Sequence, residues 1–139
     1  MTPDADWLSA THATCFPDAR SWSTKEFTDL LRADGAHLIA KSKGFALARA
    51  VLDEAEILTI AVLPNARRLG FGGAILAELE NALKQSKVAK VFLEVSANNR
   101  AALALYYRSG YLETGRRSGY YLTNDAAAQD ALILSKLLF

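Results

Sequence analysis

A single cysteine, Cys15, among 139 residues excludes an internal disulfide framework and leaves no cysteine cluster for zinc. An excess of one charge is lacking too. Sixteen Lys and Arg against 15 Asp and Glu give a net charge of +1, which offers no electrostatic basis for a nucleic-acid or membrane-surface partner. No apolar run approaches the roughly 20 residues that span a bilayer. The first residues carry Asp4 and Asp6 in place of a basic and then apolar leader, so a cytoplasmic location is expected. Internal repeats, low-complexity tracts and linker-like stretches are missing, which predicts one domain over residues 1–139. What remains is 51% apolar and 22% charged, a globular composition of a size to close one sizeable core.

Periodicity then predicts the elements. Trp7 to Phe16 reads as a short helix stopped by Pro17. Ser23-Thr24-Lys25-Glu26 has capping-box spacing and opens a helix that turns Phe27, Leu30 and Leu31 inward, with Gly35 as its left-handed cap. His37 to Ala40 and Phe45 to Leu52 read as a hairpin about Ser42-Lys43-Gly44, and residues 56–62 as a third strand. A helix to about Gln85, a buried strand at Val91–Val95 and a helix capped by Asn98 or Asn99 follow. Tyr111 to about Arg117 and Ala131 to Leu138 close the chain as two strands with a polar, Ala-rich connection. Such an order predicts a mixed α/β (α+β) sheet with a βαβ crossover and flanking helices.

Chemistry concentrates after the third strand, at Arg67-Arg68-Leu69-Gly70-Phe71-Gly72-Gly73. Three glycines at a strand-to-helix turn leave backbone N–H groups open at the positive end of a helix dipole, which suits a diphosphate, and two arginines add cationic donors. Ile75 stands where a dinucleotide fingerprint has its third glycine, and no Gly-Lys-Ser/Thr follows for a nucleoside-triphosphate loop. Glu94 lies near the end of the parallel strand, on the same rim of the sheet, where open α/β sheets bind ligands. A carboxylate among apolar strand neighbours is a candidate general base, and Tyr106 on the next helix is a candidate phenolic acid or a packing aromatic. Base, acid and anion cradle together suit acyl transfer from a phosphorylated carrier.

At these residues the chain resembles the GNAT superfamily of N-acetyltransferases. Arg67-x-x-Gly70-x-Gly72 matches its Q/R-x-x-G-x-G/A signature. Leu52-Asp53-Glu54 through Ile60-Ala61-Val62, Leu93 through Asn99, and Ala104-Leu105-Tyr106 with Gly110-Tyr111 look most like the bacterial ribosomal-protein-alanine N-acetyltransferases. That resemblance implies a mostly antiparallel central sheet whose first strand is short or missing here. It implies acetyl-CoA as co-substrate, no metal, and direct transfer with Glu94 as general base through water and Tyr106 as general acid to the CoA thiolate. By the same likeness Arg68 to Gly73 wrap the diphosphate, Ile60, Ala61 and Val62 run beside the pantetheine, and Asn99 contacts CoA near its reacting end. The acceptor it implies is a protein N-terminus, possibly ribosomal, and an α-amine with a pKa of about 8 loses its proton more readily than lysine at roughly 10.4.

Small amines such as polyamines, aminoglycosides or amino acids remain alternative acceptors, and a non-catalytic acetyl-CoA-binding module is the alternative from another class. A monomer or homodimer is expected. Residues 18–21 are inserted after Phe16-Pro17 relative to the family pattern. His12 and Cys15 lie three apart on one helix without further ligands nearby, so they do not read as a metal site. His37 reads as structural. Arg116, Arg117, Tyr120 and Tyr121 read equally as a peptide grip or as a solvated hairpin.

Overall fold

A computed structural model of the chain describes residues 4–17, 19–122 and 128–139, without the side chains of 120–122, 128 and 129. Its elements are α1 (Ala5–Cys15), α2 (Thr24–Arg32), β1 (Ala36–Lys41), β2 (Gly44–Val51), β3 (Glu54–Val62), α3 (Phe71–Gln85), β4 (Lys90–Ser96), α4 (Arg100–Arg108), β5 (Leu112–Leu122) and β6 (Ala128–Leu137). A short 3-10 turn, Pro64–Ala66, separates β3 from α3. Six strands form one sheet in the order β1-β2-β3-β4-β6-β5, antiparallel except for the pair β3 and β4.

Local chemistry sets the helix ends. Asp4 accepts a hydrogen bond from the Trp7 amide at 2.9 Å and opens α1. Ser23 and Glu26 close a reciprocal capping box on α2. Asn99 rather than Asn98 caps α4, accepting from the Ala102 amide at 3.2 Å. Two expected boundaries shift. Helix α2 ends two residues earlier than anticipated, with Ala33 as its cap, and Gly35 turns the chain into β1 instead of capping the helix. Its left-handed φ of +83° coincides with a close approach to β2, where the Ala50 amide donates to the Gly35 carbonyl at 2.8 Å. The closing hairpin is also longer than the apolar runs suggest, because β5 continues past Arg117 to Leu122, with an irregular register after Arg117 and pairing to β6 resumed at Tyr121 and Leu122. The rest of the expected connection, residues 123–127, lies outside the described residues.

Helices cover both faces of the sheet over β1–β3, whereas β4 alternates between buried and half-buried residues, with Val91, Leu93 and Val95 buried. On one face α3 buries Ile75, Leu76, Leu79 and Leu83 against Ala46, Ala48, Ala55, Ile57, Val91, Leu93, Leu132 and Leu134. The alanines of β2 let α3 approach closely. On the other face Leu8, Cys15 and Phe27 of α1 and α2 pack on Phe45, Leu47 and Ala61. Each fully buried leucine contributes about 1.5–3 kcal/mol, enough to hold helices this short onto the sheet.

One irregularity positions the site. The pairing of β2 with β3 steps from Leu47↔Thr59 to Ala48↔Ile57, so Leu58 is an extra residue on β3. The bulge inverts the alternation. Ala55 and Ile57 face α3 before it, and Ile60 and Val62 face α3 after it, with Leu58 and Ala61 toward α1 and α2. A bulged strand bends, and pairing of β3 with β4 stops at Glu56↔Phe92 after three residue pairs. Beyond that point the two parallel strands form a fork.

Candidate active site

The open fork holds a cavity of about 1330 Å³. Its walls are Ile57–Ile60 and Val62 of β3, Leu93–Ser96 of β4, the glycine turn before α3, the outer face of α4, and Cys15 and Phe16 at the end of α1. Among the residues singled out from sequence, Ile60, Val62, Arg67, Arg68, Gly70, Gly72, Gly73, Glu94, Asn99 and Tyr106 all line it. Ala61, Leu69 and Phe71 do not. Ala61 is buried toward α1 and α2, and Leu69 is 69% exposed.

The turn before α3 has the form of an anion cradle. Gly70 occupies the N-cap position at φ +86° and, lacking a side chain, leaves the first amides of α3 without a side-chain cap. Arg68 is also left-handed, at φ +65°. A Cβ on Gly70 or Gly73 would meet open space, whereas one on Gly72 would lie 3.3 Å from Leu105 Cδ2. Orphan amides beside empty volume, at the positive end of a 15-residue helix, fit a phosphate ester. The two arginines divide. Arg67 donates from Nε to the Val62 carbonyl at 3.0 Å and from Nη2 to the Cys15 carbonyl at 3.1 Å, tying α1 to the end of β3. Arg68 makes no hydrogen bond or ion pair with a described residue.

Glu94 stands on the open half of β4, its side chain 27% exposed. Arg117 Nε lies 3.2 Å from Glu94 Oε1, reaching over β6 from β5. Glu94 also borders a second cavity of about 160 Å³, shared with Glu56, Phe92, Leu93, Arg117 and Ile133. Burial, and then the charge of Glu94, push the Glu56 carboxyl above its usual range. Tyr106 is 6% exposed and packs edge-on against Tyr111 at 5.7 Å. Burial pushes its phenol up to about 12. Its hydroxyl bonds no described residue. Behind it, Tyr111 donates to Glu80 at 2.8 Å, and Glu80 pairs with Lys136 at 2.8 Å, which fixes the aromatic pair.

The remaining candidates are accounted for by packing. The His12 ring stacks on Trp22 at 4.6 Å and touches Phe16 and Phe27. The Cys15 thiol donates to the Val62 carbonyl at 3.3 Å, and burial pushes it up, away from a reactive thiolate. His37 Nδ1 donates to the Gly35 carbonyl at 2.9 Å, so Nε2 accepts from Ser86 Oγ at 3.1 Å. Arg116 pairs with Asp130 and Glu113. Tyr120 and Tyr121 have side chains outside the described set. Sequence reading missed Glu56, Arg100 and Arg108. The two arginines sit on the cavity side of α4, a face that Ala101, Ala104 and Leu105 make visible only once the cavity is known.

The model of the acetyltransferase (GNAT) family matches residues 5–111. This chain belongs to that family. The [ribosomal protein bS18]-alanine N-acetyltransferase of Escherichia coli is 43% identical over 95 residues, 68% of this chain and 64% of that protein. The chain thus matches under two thirds of the length of these relatives. The enzyme of the same name from Salmonella typhimurium is 36% identical over 135 residues, 94% of this chain and 88% of that one. The crystal structure of the ribosomal-protein-S18-alanine N-acetyltransferase from Escherichia coli superposes with a TM-score of 0.85 at 33% identity, covering 99% of this chain and 90% of that one. Among described residues no helix is long and apolar enough to cross a membrane, and no cluster of three metal-ligating side chains occurs.

Proposed function

We propose that this GNAT-family chain is a cytoplasmic, acetyl-CoA-dependent N-acetyltransferase acting on the α-amine of a protein N-terminus, of the ribosomal-protein-alanine type. One observation carries the reading. A single fork between parallel strands opens on a phosphate cradle, a carboxylate and a buried phenol together. The relatives named for ribosomal protein bS18 supply the acceptor class.

The amides of residues 70–73 and Arg68 hold the diphosphate, and the β3 edge released from β4, Ile60 to Val62, lies along the pantetheine. Acetyl-CoA, when bound, supplies an activated acetyl thioester. Asn99, already turned to its helix amide, closes the same end of the cavity. Glu94 takes the proton of the incoming ammonium, through water in the adjoining small cavity, while Arg117 holds Oε1 in place. An α-amine of pKa about 8 demands less of this carboxylate than a lysine would. Tyr106 keeps its proton throughout the physiological range and presents it where thiolate charge develops. With the phenol near 12 against roughly 8.5 for a thiol, hydrogen bonding to the developing charge precedes any complete transfer of the proton.

Mass spectrometry of N-terminal peptides incubated with acetyl-CoA tests the reading. A peptide with a free first residue gains one acetyl group, and its N-blocked form gains none. Acetylation of the blocked form on internal lysines overturns the acceptor assignment. Glu94→Gln lowers turnover at unchanged CoA affinity.

A further inference from the structure

Positive charge around the cavity exceeds what a diphosphate alone takes up. Arg67, Arg68, Arg100 and Arg108 line it, against one carboxylate, Glu94. Arg67 is engaged by two backbone carbonyls. Arg68 flanks the glycine turn. Arg100 and Arg108, at the two ends of α4, pair with no described residue although both are exposed to the cavity.

The two ends of α4 face different parts of the cavity. Arg100 follows Asn99, next to the end of β4 that carries Glu94. Leu105 marks the level of the phosphate cradle, since its Cδ2 lies 3.3 Å from the place of a Cβ on Gly72. Arg108 is one turn further, about 4.5 Å along the axis on the same helix face. It therefore stands past the cradle, on the side away from Glu94. Coenzyme A has two anionic groups, the diphosphate and the ribose 3′-phosphate. With the diphosphate at the cradle and the thioester arm toward Glu94, covalent connectivity puts the 3′-phosphate on the far side. A phosphate monoester carries about −1.5 to −2 at neutral pH and suits a guanidinium fork.

We propose, building on the acetyl-CoA reading, that Arg108 binds the ribose 3′-phosphate, so that the chain distinguishes coenzyme A from 3′-dephospho-coenzyme A. Ala104, beside Leu105 on the cavity wall, presents only a methyl group and leaves the level of the cradle open. The competing role for a cation in the last turn of α4 is to complement the helix dipole. That role affects stability and is indifferent to the 3′-phosphate.

Isothermal titration of the full chain with both ligands separates the two roles. The wild type binds coenzyme A about tenfold more tightly than the dephospho form, within the range of a charge-assisted hydrogen bond. Arg108→Ala removes that preference by weakening coenzyme A about tenfold, while the dephospho form stays within about twofold. Arg108→Lys retains the charge without the fork and keeps part of the preference. It also decides the matter if the alanine variant does not fold. Equal loss for both ligands, an undiminished preference in Arg108→Ala, or a wild type that binds both equally overturns the proposal. A wild type that binds neither ligand overturns the acetyl-CoA reading itself, and this inference with it.

Discussion

Gly73→Ala should move stability and ligand affinity in opposite directions. Gly73 is the third residue of α3, inside the helix and without a positive φ, and an added Cβ meets no atom within 4 Å. Replacing a helical glycine with alanine reduces the entropy of the unfolded chain and favours folding by about 0.5–1 kcal/mol. For a domain of this size that raises the melting temperature by about 2–4 °C. The open space around the methyl is cavity, however, and the proposed diphosphate site is this cavity beside the orphan amides. A methyl there displaces at least one charge-assisted hydrogen bond, worth about 1.5–3 kcal/mol, so the Kd for coenzyme A rises at least about tenfold. Thermal melts with and without ligand measure both effects, because ligand stabilisation follows RT ln(1 + [L]/Kd). A variant that is stabilised yet binds coenzyme A like the wild type refutes the cradle. A destabilised variant refutes the helix argument.

Other outcomes follow from individual contacts. Arg67→Ala, which strands two carbonyls at the junction of α1 and β3, lowers stability by about 1–3 kcal/mol, whereas Arg68→Ala leaves melting unchanged and weakens coenzyme A in a salt-dependent way. Burial holds Tyr106 near 12 against 10 for a free phenol, so its stabilisation is complete below pH 10 and lost as pH rises through 12. Alkaline denaturation curves should flatten over that window in Tyr106→Phe. Burial, and then Arg20, lower His12 from 6.5, so the unfolded chain takes up a proton that the folded one refuses. Stability is therefore present above pH 6.5 and falls as the solution is acidified below it. In urea titrations His12→Leu should lose less between pH 7.5 and 5.5 than the wild type does.

Much of this molecule was legible from residue order because its signals are local. The capping box at Ser23, the hairpin around Ser42 to Gly44, and the glycine turn after an apolar strand are each set by neighbours within a few positions. The element order came out as expected for that reason. Errors fell where long-range contact decides. Gly35 looks like a helix cap in isolation, but the carbonyl of that residue is claimed by Ala50. The polar stretch after Arg117 shows no strand pattern, yet pairing with β6 carries it to Leu122. Arg67 and Arg68 are indistinguishable by position, and only the location of the Cys15 and Val62 carbonyls assigns one to the scaffold and leaves the other facing the cavity.

Local order alone determined the nature of the parts, which are an anion-seeking turn, an acidic residue in an apolar strand, and a tyrosine on the next helix. Folding decided their relation. The extra residue Leu58 turns the alternation of β3 over, and parallel pairing ends after Glu56 and Phe92, so a gap opens where a continuous sheet would have run. Interruptions of a ladder depend on which strands become neighbours, and that choice is made by packing across the whole core rather than by any short window of residues.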